Sequence, residues 1–161
     1  MARLDNVRVG VWRGMQALVG EIERNIDDEL RAEWDISLGW FDVLASLQRL
    51  GGRARPLDVS SDMRLPPSSV SRRLDRLEEE GWIARHKYVD ANDHRAVEVE
   101  LTKTGRRLWR EMSVTYRRAL QALFAVHLDG ADIADMQRVL DLLVDAGQEI
   151  DDTSRSDRAS R

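Results

Sequence analysis

The sequence predicts a mainly α-helical protein with one small β hairpin near its middle. Apolar residues recur every three to four positions through most of the 161-residue chain, which is the spacing of helices with one buried face. Between Trp82 and Thr102 the period changes to two, which is the spacing of half-buried strands. The sequence contains no apolar run of about 18 residues, so we expect no transmembrane helix.

Three helices are predicted in the first part of the chain. The first covers residues 7–34, whose apolar positions keep helical spacing throughout. Ser37 is a candidate N-cap for the second helix, residues 38–50, which ends at a pair of glycines. The third helix is short, covers residues 56–63 and opens on a proline, which is tolerated in a first helical turn.

A fourth helix, residues 66–81, carries the strongest functional pattern. Val70, Leu74 and Leu77 share one face of it. Hydroxyls at a helix start followed by arginines fit a helix in a DNA major groove, where hydroxyls bind phosphates and guanidiniums bind guanine edges. Taken alone, the pattern fits an amphipathic helix with a solvated charged face even better. The polar residues in question are Ser68, Ser69, Arg72, Arg73 and Arg76.

A β hairpin follows the fourth helix directly. Residues 82–89 predict one strand and residues 96–102 its partner, separated by a segment rich in turn-forming residues. Two short helices with a tight joint, followed at once by a hairpin, make a winged helix-turn-helix. Arg95 lies beside the hairpin tip, where a guanidinium can enter the negative potential of a minor groove.

Two long helices and a polar tail complete the chain. Thr102 or Thr104 begins a helix that runs to about Leu128, and Asp129 caps the last helix. We divide the chain into four regions. They are an N-terminal dimerisation helix (residues 1–36), the winged helix-turn-helix DNA-binding domain (37–102), C-terminal dimerisation helices (103–150) and a disordered tail (151–161).

The helices outside the winged helix carry more apolar surface than one chain of this size can cover. Pairing with a second copy would bury that surface and give a two-fold homodimer. Such a dimer places two recognition helices one DNA turn apart, roughly 34–36 Å, and therefore requires a palindromic site.

The charge of the chain is unevenly distributed. The net charge is −4 and the pI is about 5.4, which by themselves disfavour binding to nucleic acid. Residues 21–35 carry seven acids and two arginines, and residues 129–152 carry eight acids and one arginine. Residues 64–95 carry seven basic and six acidic residues, so the acidity belongs to the ends of the chain.

Several classes of function lack support in the sequence. The chain has no cysteine, and its three histidines are far apart, so we expect neither disulfides nor a metal site. It has no glycine-rich phosphate loop and no nucleophile elbow, so we expect no cofactor and no enzyme activity. The polar N-terminus lacks a signal peptide pattern, which predicts a cytoplasmic location.

Two regions of the chain resemble the MarR-type winged-helix transcription regulators. Residues 93–105, DHRAVEVELTKTG, are similar to the wing signature of that family, Asp-x-Arg followed by a short alternating strand and Leu-Thr-x-x-Gly. Residues 69–85, which include SVSR, LDRLE and GWIAR, are similar to the recognition helix of the family and the strand after it. The order of elements agrees over residues 7–150.

The resemblance implies a homodimer that binds a near-palindromic operator in double-stranded DNA, commonly as a repressor relieved by a small anionic or aromatic ligand. It also assigns roles by position. The residues that would face the major groove are Ser68, Ser69, Arg72 and Arg73. Arg76 would contact phosphate or support the helix. Arg95 would enter the minor groove, and Asp93 would hold the wing in shape.

The ligand pocket of the family lies between the dimerisation helices and the winged helix. This implies Trp12, Met15, Trp40 and Phe41 as wall residues, although aromatic residues at helical spacing are more often part of a core. A different class of function also remains open, in which the winged helix is a protein–protein interaction module with weak or no specific DNA binding.

Overall fold

The computed structural model of the chain describes residues 4–87 and 97–159, and the side chains of residues 4–87 and 97–147. Within these ranges it contains six α-helices and three strands, which confirms a mainly helical fold with a small sheet. The elements in chain order are α1 Asn6–Trp34, α2 Leu38–Arg49, β1 Arg53–Ala54, α3 Pro56–Met63, α4 Pro67–Glu79, β2 Ile83–Lys87, β3 Val97–Leu101, α5 Lys103–Leu123 and α6 Gly130–Ala159.

The chain divides into two compact units, Met1–Leu120 and Gln121–Arg161. The first unit contains the core, which is built from the apolar faces of α2, α3 and α4 and from the inner face of the sheet. Its buried members are Val43, Leu44, Leu47, Ala54, Val59, Val70, Leu74, Leu77, Ile83, Val99 and Leu101. The periodic residues of α4 are therefore core residues, as the sequence predicts.

The start of α2 depends on a carboxylate of α1. Ser37 occupies the N-cap position, as predicted, but its side chain makes no cap hydrogen bond. Instead the backbone N–H of Leu38 donates to Oδ1 of Asp27 at 2.7 Å. One acidic side chain of α1 thus satisfies a backbone donor at the start of the next helix. The other oxygen of this carboxylate, Oδ2, accepts from Nε of Arg31 at 2.6 Å.

The sheet has three antiparallel strands in the order β1, β3, β2. In the pairing of β2 with β3, Ile83 lies opposite Leu101 and Lys87 opposite Val97. The sequence analysis missed β1, because a strand of two residues is too short to show any periodicity. The hairpin tip, which includes Asp93 and Arg95, lies outside the described residues.

Thr102 caps α5, which begins at Lys103, so the structure favours the first of the two predicted starting residues. Its Oγ1 accepts from the backbone N–H of Gly105 at 3.0 Å and also lies 2.9 Å from the carbonyl oxygen of Gly81. The helix ends at Leu123, earlier than the sequence predicts, and a short 3₁₀ turn, Ala125–His127, follows it.

The second unit consists largely of α6. Asp129 caps it as predicted, since its Oδ1 accepts from the backbone N–H groups of Ala131 and Asp132 at 2.8 and 2.9 Å. The helix continues to Ala159, whereas the sequence predicts a disordered tail from residue 151. Residues 151–159 contain no proline or glycine that would interrupt a helix, which accounts for the difference.

None of the helices described combines the length and the hydropathy that a membrane crossing needs.

Candidate nucleic-acid interface

Helices α3 and α4 meet at a tight joint made by Arg64, Leu65 and Pro66. Arg64 adopts the left-handed conformation, with φ 52°, and so reverses the chain after α3. Ser60 Oγ donates to the carbonyl oxygen of Leu65 at 2.6 Å, which holds the joint from the α3 side. Pro67 then occupies the first position of α4, where the missing N–H costs no hydrogen bond. This is the helix-turn-helix geometry that the sequence predicts.

The two sides of α4 differ in burial and in chemistry. Val70, Leu74 and Leu77 are completely buried. On the opposite side Ser68 and Arg72 are exposed, and Ser69 is partly buried at the edge of that side. In the part of the chain that the structure describes, Arg72 forms neither a hydrogen bond nor an ion pair. Its guanidinium is therefore free to bind a partner.

The other two arginines of α4 contact the first turn of α2. Arg73 is partly buried, and its Nη1 donates to the carbonyl oxygen of Gly39 at 3.1 Å. Arg76 lies over the ring of Trp40, with Cζ 5.9 Å from the ring centroid, and its Nη1 is 2.9 Å from Oε2 of Glu79. The three predicted arginines thus point in different directions, and one of them, Arg72, faces outward without a partner among the described residues.

An arginine of the sheet joins α4 to β2. Arg85 Nη2 lies 2.5 Å from Oδ1 of Asp75, and Arg85 Nη1 also pairs with the carboxylate of Glu78. The sequence analysis missed this cluster, since its members are separated by seven and ten residues and lie on different elements. The single positive charge of Arg85 offsets part of the negative charge of these two acidic residues of α4, which lowers their repulsion of an anion.

A cleft of about 740 Å³ lies between α1, α2, α3 and α4. Burial raises the pKa of Asp42 in this cleft to about 6, against the attraction of the Arg73 guanidinium, which favours the charged form. The ion pair of Arg49 with Asp62, 2.7 Å from Nη2 to Oδ2, forms part of the wall. The cleft is lined by Gly20, Glu23, Arg24, Asp27, Asp28, Leu38, Gly39, Asp42, Arg49, Asp62, Met63, Leu65 and Arg73.

The four residues predicted to form a ligand pocket do not line this cleft. Trp12 and Met15 are exposed on α1, at 58% and 40% of their surface. Trp40 packs edge-on against Trp82, with the ring centroids 6.1 Å apart. Phe41 is buried and stacks on Tyr116 at 5.0 Å. Trp40 and Phe41 are therefore packing residues of the described fold.

Among the residues described, no three histidine, aspartate or glutamate side chains are arranged to hold a metal ion.

Comparison with known proteins identifies relatives of the whole fold and of its central part. The model of the MarR family matches residues 34–96, from the end of α1 to the residue before β3. The HTH-type transcriptional regulator PecS of Dickeya dadantii (strain 3937) is 32% identical over 80 residues, which are 48% of this chain and 47% of PecS. The chain thus matches about half the length of that relative.

Solved structures with the same fold cover nearly the whole chain. Sco3205, a MarR family transcriptional regulator from Streptomyces coelicolor solved in complex with DNA, has a TM-score of 0.79 and 18% identity and covers 91% of each chain. The organohalide sensing regulator RdhR in its 2,4-dichlorophenol bound form has a TM-score of 0.75 and 21% identity, covering 88% of this chain and 82% of RdhR. At these identities the likeness shows the fold.

Proposed function

We propose that this chain is a transcriptional regulator of the MarR family that binds a specific sequence in double-stranded DNA. The observation that carries the proposal is the two-sided construction of α4. Its apolar side is completely buried, while Ser68 and the unpaired Arg72 project from the opposite side. A major groove about 12 Å wide admits such a helix, and guanidinium groups are the commonest readers of guanine.

The exposed apolar side chains of α1 and α6 support a homodimer. On α1, Val7, Val11, Trp12, Leu18 and Val19 are each about half exposed or more. On α6, Ile133, Met136, Leu140 and Leu143 lie on one side of the helix and are exposed to a similar degree. Monomeric proteins rarely leave so many apolar side chains of two helices in water, so we infer that a second copy covers those of each helix.

The dimer explains how a helix with one free arginine can achieve specificity. A two-fold axis duplicates α4, and the two copies read two half-sites roughly 34–36 Å apart. The target is therefore a palindrome. We propose that Ser68, Ser69 and Arg72 contact it from the major groove, with Arg76 near phosphate or supporting the helix. The family resemblance also assigns Arg73 to the groove, but in the structure its Nη1 donates to the carbonyl oxygen of Gly39.

The hairpin is proposed to contribute a second contact. Strands β2 and β3 flank the segment that contains Asp93 and Arg95 in the sequence. We propose that Arg95 enters the adjacent minor groove, where the negative potential favours a guanidinium, and that Asp93 holds it in place.

We also infer that the regulator represses its target and that a small anionic or aromatic ligand relieves the repression. RdhR, a structural neighbour, was solved with 2,4-dichlorophenol bound, and PecS is a transcriptional regulator. Of the predicted wall residues, the exposed Trp12 and Met15 keep their place in this proposal, with the pocket completed by the second copy, whereas Trp40 and Phe41 pack within the described fold. A regulator of this kind acts where the DNA is, in the cytoplasm, and has no catalytic residues.

Selection from random DNA tests the proposal. The purified protein is incubated with a pool of random duplexes at two salt concentrations, and the retained duplexes are sequenced. Enrichment of a palindrome with half-sites one turn apart, together with a dimer mass by light scattering, is the expected result. Since each neutralised phosphate adds about 0.9 to the slope of log K against log salt, binding should weaken steeply as salt rises.

The control is Arg138→Ala, which removes one exposed positive charge from α6. It should leave the selected sequence unchanged, whereas Arg72→Ala should alter it. A protein that enriches no sequence at either salt concentration is not a sequence-specific DNA-binding regulator, and that result would favour the protein–protein interaction module.

A further inference from the structure

We propose that Arg73 is a positioning residue that holds α4 against the first turn of α2, and that Arg72 is the arginine of α4 that contacts base edges. The proposal rests on the DNA-binding function proposed above and assigns different tasks to neighbouring residues of the same type.

The contact of Arg73 with α2 is specific in its atoms. Its Nη1 donates to the carbonyl oxygen of Gly39, 34 residues earlier in the chain, at 3.1 Å. The same guanidinium also attracts the charged form of the Asp42 carboxylate, one turn further along α2, and so opposes the rise in its pKa. A charged donor that is partly buried and hydrogen-bonded has little to gain from turning into the solvent, so the contact keeps the two helices together.

The glycine at position 39 makes room for this guanidinium. A Cβ built on Gly39 would lie 3.2 Å from both Cζ and Nη1 of Arg73, which is closer than carbon and nitrogen atoms normally approach. Glycine is less favourable than alanine within a helix. Its presence in the first turn of α2 is therefore explained by the space that Arg73 occupies.

Trp40, the next residue of the same turn, contacts Arg76, the next arginine of α4. Trp40 lies under Arg76, and its ring also packs against Trp82, the residue before β2. Gly39 and Trp40 together thus engage both Arg73 and Arg76. The first turn of α2 is a platform that sets the position of α4 and occupies two of its three arginines.

Arg72 is the arginine that this platform does not engage. It projects from the side of α4 opposite the buried Val70 and Leu77, beside Ser68 one turn earlier. Base edges lie at the floor of the major groove, so the centre of the exposed side of a helix reaches them before its flanks do. The position of Arg73 nearer the buried side suits attachment to α2, and that of Arg72 suits the groove.

Attachment matters because base recognition depends on small distances. A bidentate pair of arginine with guanine requires both N–H groups at hydrogen-bond distance, and a displacement of α4 by an ångström would disrupt it. Losing Arg73 should therefore weaken binding through Arg72, at every recognised base and without removing a contact with DNA.

The first test uses protein stability and needs no DNA. Gly39→Ala and Arg73→Ala are made singly and together in the full chain, and the Tm of each is measured. With Arg73 present, the alanine meets the guanidinium, so Gly39→Ala should lower the Tm or raise it little. With Arg73→Ala in the background, the same change should raise the Tm clearly, because alanine favours helix. Equal shifts in both backgrounds would overturn the positioning role.

The second test uses the selected operator. Arg72→Ala should lose about 5- to 150-fold in preference for the operator over a duplex altered at one base pair of each half-site. Arg73→Ala should bind the operator more weakly but select the same sequence, with the salt slope unchanged. A salt slope reduced by about 0.9 per contact, or a preference lost at one base pair only, would show that Arg73 itself contacts DNA and would overturn the proposal.

Arg73→Lys provides a matched control. A lysine keeps the charge and one donor for the Gly39 carbonyl but cannot make the bidentate pair with guanine, so it should restore most of the affinity that Arg73→Ala loses. If Arg73→Lys does not restore the affinity, that result contradicts the positioning role of Arg73. If the unaltered protein selects no sequence, the proposed function and the role of Arg72 fail together, while the Tm comparison still decides whether Arg73 acts on Gly39.

Discussion

Gly105 in the first turn of α5 lies directly against the carbonyl group of Trp82. A Cβ at position 105 would be 2.0 Å from that oxygen, and the oxygen belongs to the backbone just before β2, which cannot move aside as a flexible side chain can. Thr102, three residues earlier, also lies 3.2 Å from this oxygen through its Oγ1. The Leu-Thr-x-x-Gly segment of the sequence is therefore the junction at which α5 crosses the base of the hairpin.

Gly105→Ala should destabilise the protein by about 1–3 kcal/mol, because the added methyl group forces α5 away from the backbone at Trp82. Urea unfolding measures the loss. Gly10→Ala is the matched control, since nothing lies within 4 Å of a Cβ at that position in the described chain. The control should stabilise slightly through its higher helix propensity, and a similar effect of both changes would contradict the close approach.

Stability should depend on the protonation of Asp42. Burial raises its pKa from 3.8 to about 6, so the protonated form favours the folded protein. The stabilisation is complete below pH 3.8 and is lost as the pH rises through 6. Asp42→Asn should therefore be more stable than the unaltered protein at pH 8 by about 1–2 kcal/mol, and the difference should vanish near pH 4. Unfolding curves at both pH values check this, and a constant difference would contradict it.

A buried threonine joins the end of α1 to α5. Trp34 Nε1 donates to Oγ1 of Thr115 at 3.0 Å, and the same hydroxyl donates to Oε2 of Glu33 at 2.9 Å. Thr115→Val keeps the shape but leaves the indole N–H without its acceptor, which should cost about 1–3 kcal/mol in unfolding free energy. Its neighbour Val114 is 66% exposed, so Val114→Thr should change stability by less than about 0.5 kcal/mol.

The proposed dimer should depend on the side of α6 that carries Ile133, Met136 and Leu140. Leu140→Asp places a charge in the middle of this apolar side and should dissociate the dimer, as measured by light scattering, because a buried unpaired charge is costly. Leu142→Asp is the control, since Leu142 is equally exposed but lies on the other side of the helix. A Leu140→Asp protein that remains a stable dimer would place the interface elsewhere.

Arg95→Ala should weaken binding to the selected operator by roughly tenfold, or about 1.4 kcal/mol, while the dimer stays intact. A competition assay with the operator measures the change, and Arg138→Ala serves as the charge-matched control. Unchanged affinity would refute the minor-groove contact. The loss should be smaller when the base pairs flanking the half-sites are rich in G·C, since their minor groove is wider and less negative.

Several features of the candidate site were beyond prediction from the sequence, for different reasons. Arg72 and Arg73 are neighbours of the same type, and helical periodicity gives both a polar position, yet one is free and the other is held by Gly39. The exposed state of Trp12 and the buried state of Phe41 also differ, although both were expected in one pocket. The identity of a residue does not specify its partner when the partner is distant in the chain.

The sequence by itself determined the order and type of the main elements, the joint before α4, the cap of α6 and the apolar side of α4. These depend on local spacing, on proline and glycine, and on short polar side chains, and all of them act within a few residues. The tertiary structure alone decided that Asp27 caps α2, that β1 joins the sheet and that Arg73 contacts α2. Each of these joins residues from different elements, and only packing of the core brings such groups within hydrogen-bond distance.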